Sequence, residues 1–233
     1  MPKWRVTPLG AEALHVVPEG RLTERARASL RALGLAVRQA RGPLWLDALE
    51  APRSLTVHYR AAALPPGEDP MTWLSAQLEL LTLGTSAIAT SRHHQIPVCF
   101  DPEFAPDLPE VAAAVGLSPE SVIELIEKST LTVASLGFLP GFAYLEGLPS
   151  VLHVPRRDTP RVAVPAGSLA IAAGYAGVYP LTSPGGWHLL GRTLCPMLDF
   201  TRPEVARVAA GDTLSFVAIS RADYEKERAT HGA

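Results

Sequence analysis

The sequence predicts an α+β chain in two parts: an N-terminal ferredoxin-like α/β layer over residues 1–92, then a closed β-barrel or sandwich over residues 93–233. Three observations carry this. In the first part the apolar segments run strand, helix, strand, strand, helix, strand, the split βαβ order. Beyond about residue 95, short strand-like runs alternate with glycine and proline every few positions, the punctuation of a sheet that closes on itself. At 233 residues and 47% hydrophobic composition, the chain can bury a substantial core as one large domain or two small ones.

Residues 13–17 read as the first strand. Leu22, Ala26, Leu30 and Leu33 recur at helical spacing, with Thr23 as N-cap and Gly34 as a stop. Residues 44–49 and 54–59 are two strands around Ala51-Pro52-Arg53. Asp69-Pro70 supplies an N-cap with proline at the first helical position, Met71, Leu74, Leu78 and Leu81 make the apolar stripe, and Gly84 ends it. Residues 94–100 return as a strand. In the second part, helices are expected over 108–115, ended by Gly116, and over 119–128, capped by Ser118. Strands are expected over 132–135, 161–164, 168–172, 187–190 and 213–219. The tail from Arg221 is charged and either helical or frayed.

A net charge of −2 with no block of like charge excludes nucleic acid and acidic membrane surfaces as partners. No stretch approaches the ~20 apolar residues needed to cross a bilayer, and no apolar leader opens the chain, so a soluble cytoplasmic protein is expected. Cys99 and Cys195 lie outside any C-x-x-C motif; reduced thiols are expected, with one disulfide as the alternative. Phosphate-loop, dinucleotide, zinc-protease and serine-hydrolase motifs are all missing. His93 and His94 are adjacent on a strand and face opposite ways, so they make no metal site.

Chemistry concentrates between Gly137 and Thr193. Arg156, Arg157 and Arg161 lie within six residues; in an extended chain Arg157 and Arg161 share a face and Arg156 points away. Two guanidiniums on one face clamp a carboxylate or phosphate. An internal pair with Asp158 or a nearby glutamate explains any one of them, whereas the trio beside glycine–proline turns points to a site. Ser183-Pro184-Gly185-Gly186-Trp187 lets backbone N–H groups curl around an anion, and is also a plain tight turn. Tyr144 and Trp187 are candidates for the cleft lining, and Phe138 for the core. Arg157, Arg161 and His188 are the catalytic candidates. Pro140, Gly141, Tyr144, Arg156, Ser168, Ser183, Gly185, Gly186, Trp187 and Arg192 are the substrate- or anion-binding candidates.

Three blocks in register carry a family resemblance: Gly137-Phe138-Leu139-Pro140-Gly141-Phe142-Ala143-Tyr144-Leu145; Pro155-Arg156-Arg157-Asp158-Thr159-Pro160-Arg161 with Val164-Pro165-Ala166-Gly167-Ser168; and Ser183-Pro184-Gly185-Gly186-Trp187 with Gly191-Arg192-Thr193. Ile96 to Phe100 and Pro106-Asp107-Leu108 extend the match. The chain resembles the Kip-I family, also called allophanate hydrolase subunit 1 or the B-type subunit of 5-oxoprolinase. The resemblance implies a cyclophilin-like barrel. It also implies ATP-dependent opening of 5-oxoproline to glutamate, with ATP shared with a homologous C-type subunit (Kip-A, or allophanate hydrolase subunit 2). A lactam-hydrolysing A-type subunit is the further partner. Two alternatives come with it: inhibition of a sensor histidine kinase, and a carboxyltransferase role akin to urea carboxylase. The chain departs from the family pattern at Tyr175 and Ala176, where Gln-Thr is usual, at Ile126, where histidine is common, and at Asp101-Pro102 and Ala105, which replace glycines. These departures leave open a changed substrate or a binding role alone; because the chain lacks a complete nucleotide or nucleophile motif and the family works in complexes, activity is expected only in the company of partner subunits.

Overall fold

The first sheet is built from hairpins. In the computed structural model, which describes residues 4–20, 23–40, 42–67, 71–72, 75–76, 80, 91–202 and 204–231, strands β1 (Trp4–Pro8), β2 (Ala13–Pro18), β3 (Trp45–Ala51) and β4 (Ser54–Tyr59) form a sheet in the order β1-β2-β4-β3. Every pairing in it is antiparallel. Helix α1 (Glu24–Gln39) packs Leu30, Leu33 and Val37 against Leu14, Val16, Leu55 and Val57. Thr23 caps it, accepting the Ala26 N–H at 3.2 Å. The helix runs through Gly34 instead of ending there. A Cβ at that position would lie 2.8 Å from Glu50 Oε1 and 3.1 Å from a Leu55 methyl, so glycine is what lets the helix approach the sheet.

Against the ferredoxin-like layer expected over residues 1–92, this sheet with α1 is a mixed α/β arrangement whose strand set differs from the ferredoxin-like one. The strand at 93–99, expected as its fourth, is absent from it, and β1 occupies the edge beside β2. A hairpin between neighbours closes at less entropic cost than pairing with a strand some eighty residues on. Strand β1 is short, exposes three of its five residues and ends in proline, and so carries little signal for a strand. Of the helix expected from Asp69-Pro70 to Gly84, residues 71–72, 75–76 and 80 are described and helical, with Met71 packed against this first core.

Two compact units divide the chain, Met1–Thr90 and Ser91–Ala233. In the second, strands β5 (His93–Cys99), β6 (Leu131–Leu136), β7 (Ala143–Glu146), β9 (Ser168–Ala172), β10 (Tyr175–Val178), β12 (His188–Arg192) and β13 (Thr213–Ile219) close a barrel in the order β10-β7-β6-β13-β5-β12-β9. Strands β5 and β13 pair in parallel from His93↔Thr213 to Cys99↔Ile219. A parallel pair needs a long crossover, and the rest of the barrel supplies it. A two-stranded ribbon, β8 (Arg161–Val164) with β11 (Ser183–Gly185), lies outside the barrel order. Helices α2 (Leu108–Val115) and α3 (Pro119–Glu127) follow β5, and α4 (Arg221–His231) follows β13.

Strand β9 explains where the core and the aromatic residues go. All five of its residues are buried. Leu169 and Ile171 join Ile96, Val98, Val133, Leu145, Leu190 and Phe216 in the main core. Ala170 and Ala172 sit under a second cluster of Phe142, Val164, Tyr179, Trp187 and Leu189. Each fully buried aliphatic side chain contributes roughly 1.5–3 kcal/mol, so covering both faces of β9 stabilises the barrel substantially. Cys99 is buried and Cys195 half-buried, and both are free thiols. Among the described residues, no helix is long and apolar enough to cross a membrane.

Candidate functional site

Helix α2 starts at a carboxylate that does not cap it. Asp107 stands at the N-cap position, yet its side chain makes no capping bond. Instead Arg161 donates to both of its oxygens, at 2.8 and 2.6 Å, and Arg157 Nη1 donates to Oδ1 at 2.9 Å. The Leu189 backbone N–H donates to Oδ2 at 2.7 Å. Asp107 is 3% exposed. A buried carboxylate met by a bidentate guanidinium, a second guanidinium and a backbone donor is fully satisfied. Three distant parts of the chain, α2, the segment at 155–161 and β12, are thereby tied at one point.

Arg157 and Arg161 do converge, as extended spacing predicts, but on an anion the protein itself provides. That corrects the expectation for Arg161 as an external clamp: its fork is spent on Asp107. Asp107 was legible only as part of the Pro106-Asp107-Leu108 block, since its partners lie 50 and 54 residues away.

Beside this knot is a cavity of about 200 Å³, lined by Glu110, Val111 and Ala114 of α2, by residues 154–158, and by His188. Glu110 and Ala114 share a helix face by their i, i+4 spacing. Three of the expected site residues, Arg156, Arg157 and His188, meet here. Arg156 is exposed, and among the described residues no carboxylate pairs with it. Arg157 also donates to Glu110 Oε2 at 3.4 Å. The ring of His188 donates from Nε2 to the Pro155 carbonyl at 3.0 Å, while Nδ1 is buried without a partner among the described residues. With one nitrogen engaged and the other buried, the imidazole serves as a wall that fixes residue 155.

The remaining candidates lie elsewhere. Trp187 is buried, and Tyr144 and Trp187 pack edge to face around Phe142 at centroid distances of 5.2 and 5.4 Å. They cover the outer face of β9 and do not line the cavity. Phe138, expected in the core, is 60% exposed at a positive φ of 70°, its ring resting edge-on against Phe142 and Tyr179. Neither Gly185 nor Gly186 has positive φ, which a backbone anion nest requires. A Cβ on Gly185 would run into Tyr179, whose ring carbon Cζ is 2.8 Å away, while the Gly186 carbonyl accepts the Arg157 N–H at 2.8 Å. Pro140 is exposed, and Gly141 turns at φ 75° against Leu198. Ser168 and Ser183 are buried with hydroxyls that have no partner among the described residues. Arg192 lies over the Phe104 ring at 4.9 Å, outside the cavity.

Tyr179, passed over as a site residue, is 2% exposed, and burial pushes its phenol above the ordinary value. The Trp187 backbone and the charges of Arg156 and Arg161 oppose that rise.

Comparison with known proteins places this geometry. Residues 4–208 match the family described as carboxyltransferase domain, subdomain C and D. The B-type subunit of 5-oxoprolinase from Bacillus subtilis (strain 168) is 33% identical over 229 residues, covering 95% of each chain. The protein of the same name from Escherichia coli O157:H7 is 47% identical over 127 residues, 54% of this chain and 58% of that one. The solved structure of TTHA0988 matches at 35% identity and a TM-score of 0.76, covering 89% of this chain; this chain spans 40% of that longer one. The urea carboxylase of Kluyveromyces lactis, at 16% identity and a TM-score of 0.70, shares the fold over 97% of this chain and 22% of its own. With its motif blocks in register and its near full-length match to the Bacillus protein, the chain belongs to the family of 5-oxoprolinase B-type subunits, built on carboxyltransferase subdomains C and D.

Proposed function

We propose that this chain is the B-type subunit of an ATP-dependent 5-oxoprolinase and that the cavity beside Asp107 receives the carboxylate of the substrate. The observation that carries this is that two consecutive arginines, Arg156 and Arg157, line the cavity. Arg156 has no carboxylate partner among the described residues, and Arg157 is engaged on one side only by an exposed glutamate at 3.4 Å. The space of about 200 Å³ suits a single-ring carboxylic acid. It is smaller than the roughly 300–1,000 Å³ of clefts that hold drug-sized ligands, so it suits the acid better than a nucleotide.

The lactam of 5-oxoproline is an unreactive amide. When bound, ATP supplies phosphorylation of the lactam oxygen, which turns that oxygen into a leaving group. The part left to this chain is to hold and orient the acid. The Asp107 knot fixes the Arg157 side chain, His188 fixes Pro155 beside Arg156, and the apolar floor of Val111 and Ala114 excludes water from one side. ATP and two partners, a homologous C-type subunit with a lactam-hydrolysing A-type one, complete the proposal.

The test is a coupled assay of ATP hydrolysis with purified C- and A-type subunits. Hydrolysis dependent on 5-oxoproline is expected only when this chain is added, and Arg156→Gln should raise KM about ten- to a hundredfold, the scale of one charge-assisted hydrogen bond. Turnover of 5-oxoproline by the isolated chain overturns its reading as one member of a complex. The match to carboxyltransferase subdomains C and D supports a second reading, biotin-dependent carboxyl transfer. Loss of activity on adding avidin would favour it.

A further inference from the structure

Arg157 Nη1 is shared by two carboxylates of unequal standing. Asp107, its side chain 4% exposed, takes that nitrogen at 2.9 Å while also holding both Arg161 nitrogens and the Leu189 N–H. Withdrawing it would strand two guanidiniums and a buried backbone donor, so it stays. Glu110 reaches the same nitrogen at 3.4 Å from a side chain that is 65% exposed. An exposed, stretched ion pair is worth very little and breaks readily. Glu110 also projects from the helix that floors the cavity, among the residues that line it together with Arg156, Arg157 and Asp158.

We infer that Glu110 is a resident competitor for the ligand: its carboxylate holds the outward side of Arg157 until a small carboxylic acid displaces it and settles between Arg156 and Arg157. The identity of that acid as 5-oxoproline rests on the proposed function; the displacement of one carboxylate by another does not. Exchange leaves the charge paired with Arg157 unchanged. Net affinity is then set by the added pairing with Arg156 against repulsion from the displaced Glu110 and from Asp158. Removing the charge at position 110 takes away both the competition and part of the repulsion. A ring of the same size without a carboxylate does not sense the change.

The experiment is an NMR or calorimetric titration of the full chain and its Glu110→Gln and Arg156→Gln variants with 5-oxoproline and with 2-pyrrolidone. Glu110→Gln is expected to bind 5-oxoproline about three- to tenfold tighter than the unaltered chain, a gain that shrinks with added salt. Arg156→Gln is expected to bind it at least tenfold more weakly, and 2-pyrrolidone should respond to neither change. Glu110→Ala provides a second variant at the same exposed position, and thermal unfolding checks that each variant is folded. If Glu110→Gln and Glu110→Ala bind no tighter while Arg156→Gln still weakens binding, the competitor is overturned and the cleft stands. If 5-oxoproline binds none of the folded proteins, both are overturned.

Discussion

Replacing Arg161 with lysine keeps the charge and removes the fork, so it separates geometry from electrostatics at the Asp107 knot. Arg161 reaches both carboxylate oxygens at 2.8 and 2.6 Å, and lysine offers one point donor in place of two parallel ones. The expected loss is about 1.5–3 kcal/mol of stability by urea denaturation. Asp107→Ala, which leaves two guanidiniums uncompensated, should cost about 3–5 kcal/mol. Arg202→Lys on the exposed surface is the control; an equally small effect at 161 and 202 would make the fork irrelevant. The extended spacing of Arg157 and Arg161 was readable, but their partner was not, because nothing local links position 107 to positions 157 and 161. Tyr179 gives a second prediction at this scale. Burial raises its folded pKa above the unfolded value of 10.0, so the folded state binds its proton more tightly. The stability it contributes is therefore fully present below pH 10 and is lost as pH rises through the folded value. Tyr224 and Cys195, raised for the same reason, act in the same direction. The melting temperature should fall as pH rises above 10, less steeply in Tyr179→Phe; identical slopes would show that Tyr179 does not titrate differently on folding.

The Gly185–Gly186 turn, at the scale of elements, contains two glycines with different jobs. At 185, in β11, a methyl group would collide with the Tyr179 ring, whereas at 186 the nearest atoms to a Cβ are 3.6 Å away, on Pro160. Neither position has positive φ, so space alone decides. Gly185→Ala should destabilise by about 1–3 kcal/mol through overpacking, and Gly186→Ala should be close to neutral. Equal costs at the two positions, measured by thermal unfolding, would mean that the turn conformation and not the Tyr179 contact demands glycine. The same contact explains why a glycine pair stands here without forming an anion nest. Two consecutive glycines signal either positive φ or close approach, and sequence alone does not say which. Elements with strong local signals were read nearly residue for residue: α2 and β8, β9 and β13 have the bounds their patterns predict. The misses have local causes too. Strand β1 is a short, mostly exposed edge, β10 carries Gly177 against the Phe142 ring, and Gly34 marks close packing in mid-helix instead of an end. The Tyr175 and Ala176 departures lie on β10, where Ala176 is core and Tyr175 stacks edge-on against Tyr144 at 5.8 Å. Both residues pack within the fold and stay out of the cavity.

At the scale of the whole molecule, the two units own separate cores: Leu14, Leu33, Val57 and their neighbours in one, the barrel interior in the other. The second unit closes its own barrel through β9–β10 and β5–β13, and among the described residues no strand of it comes from positions 1–90. A chain of that size buries roughly 68–70% of the surface its unfolded form exposes, enough for independent stability. Every residue that lines the cavity, and every partner of Asp107, lies between positions 107 and 189. A fragment of residues 91–233 should therefore fold by itself and retain the cavity. Of the four tryptophans in the sequence only Trp187 remains in that fragment, and it is 6% exposed in the aromatic cluster over β9. Its emission reports this packing without interference. The fragment should show blue-shifted fluorescence that moves red in one cooperative urea transition, and its Arg156→Gln variant should lose affinity for 5-oxoproline by the same factor as in the full chain. Emission already at the wavelength of exposed indole in the absence of urea, in a fragment that stays soluble, would show that the barrel depends on residues 1–90 and that the cleft is not a property of the second unit alone.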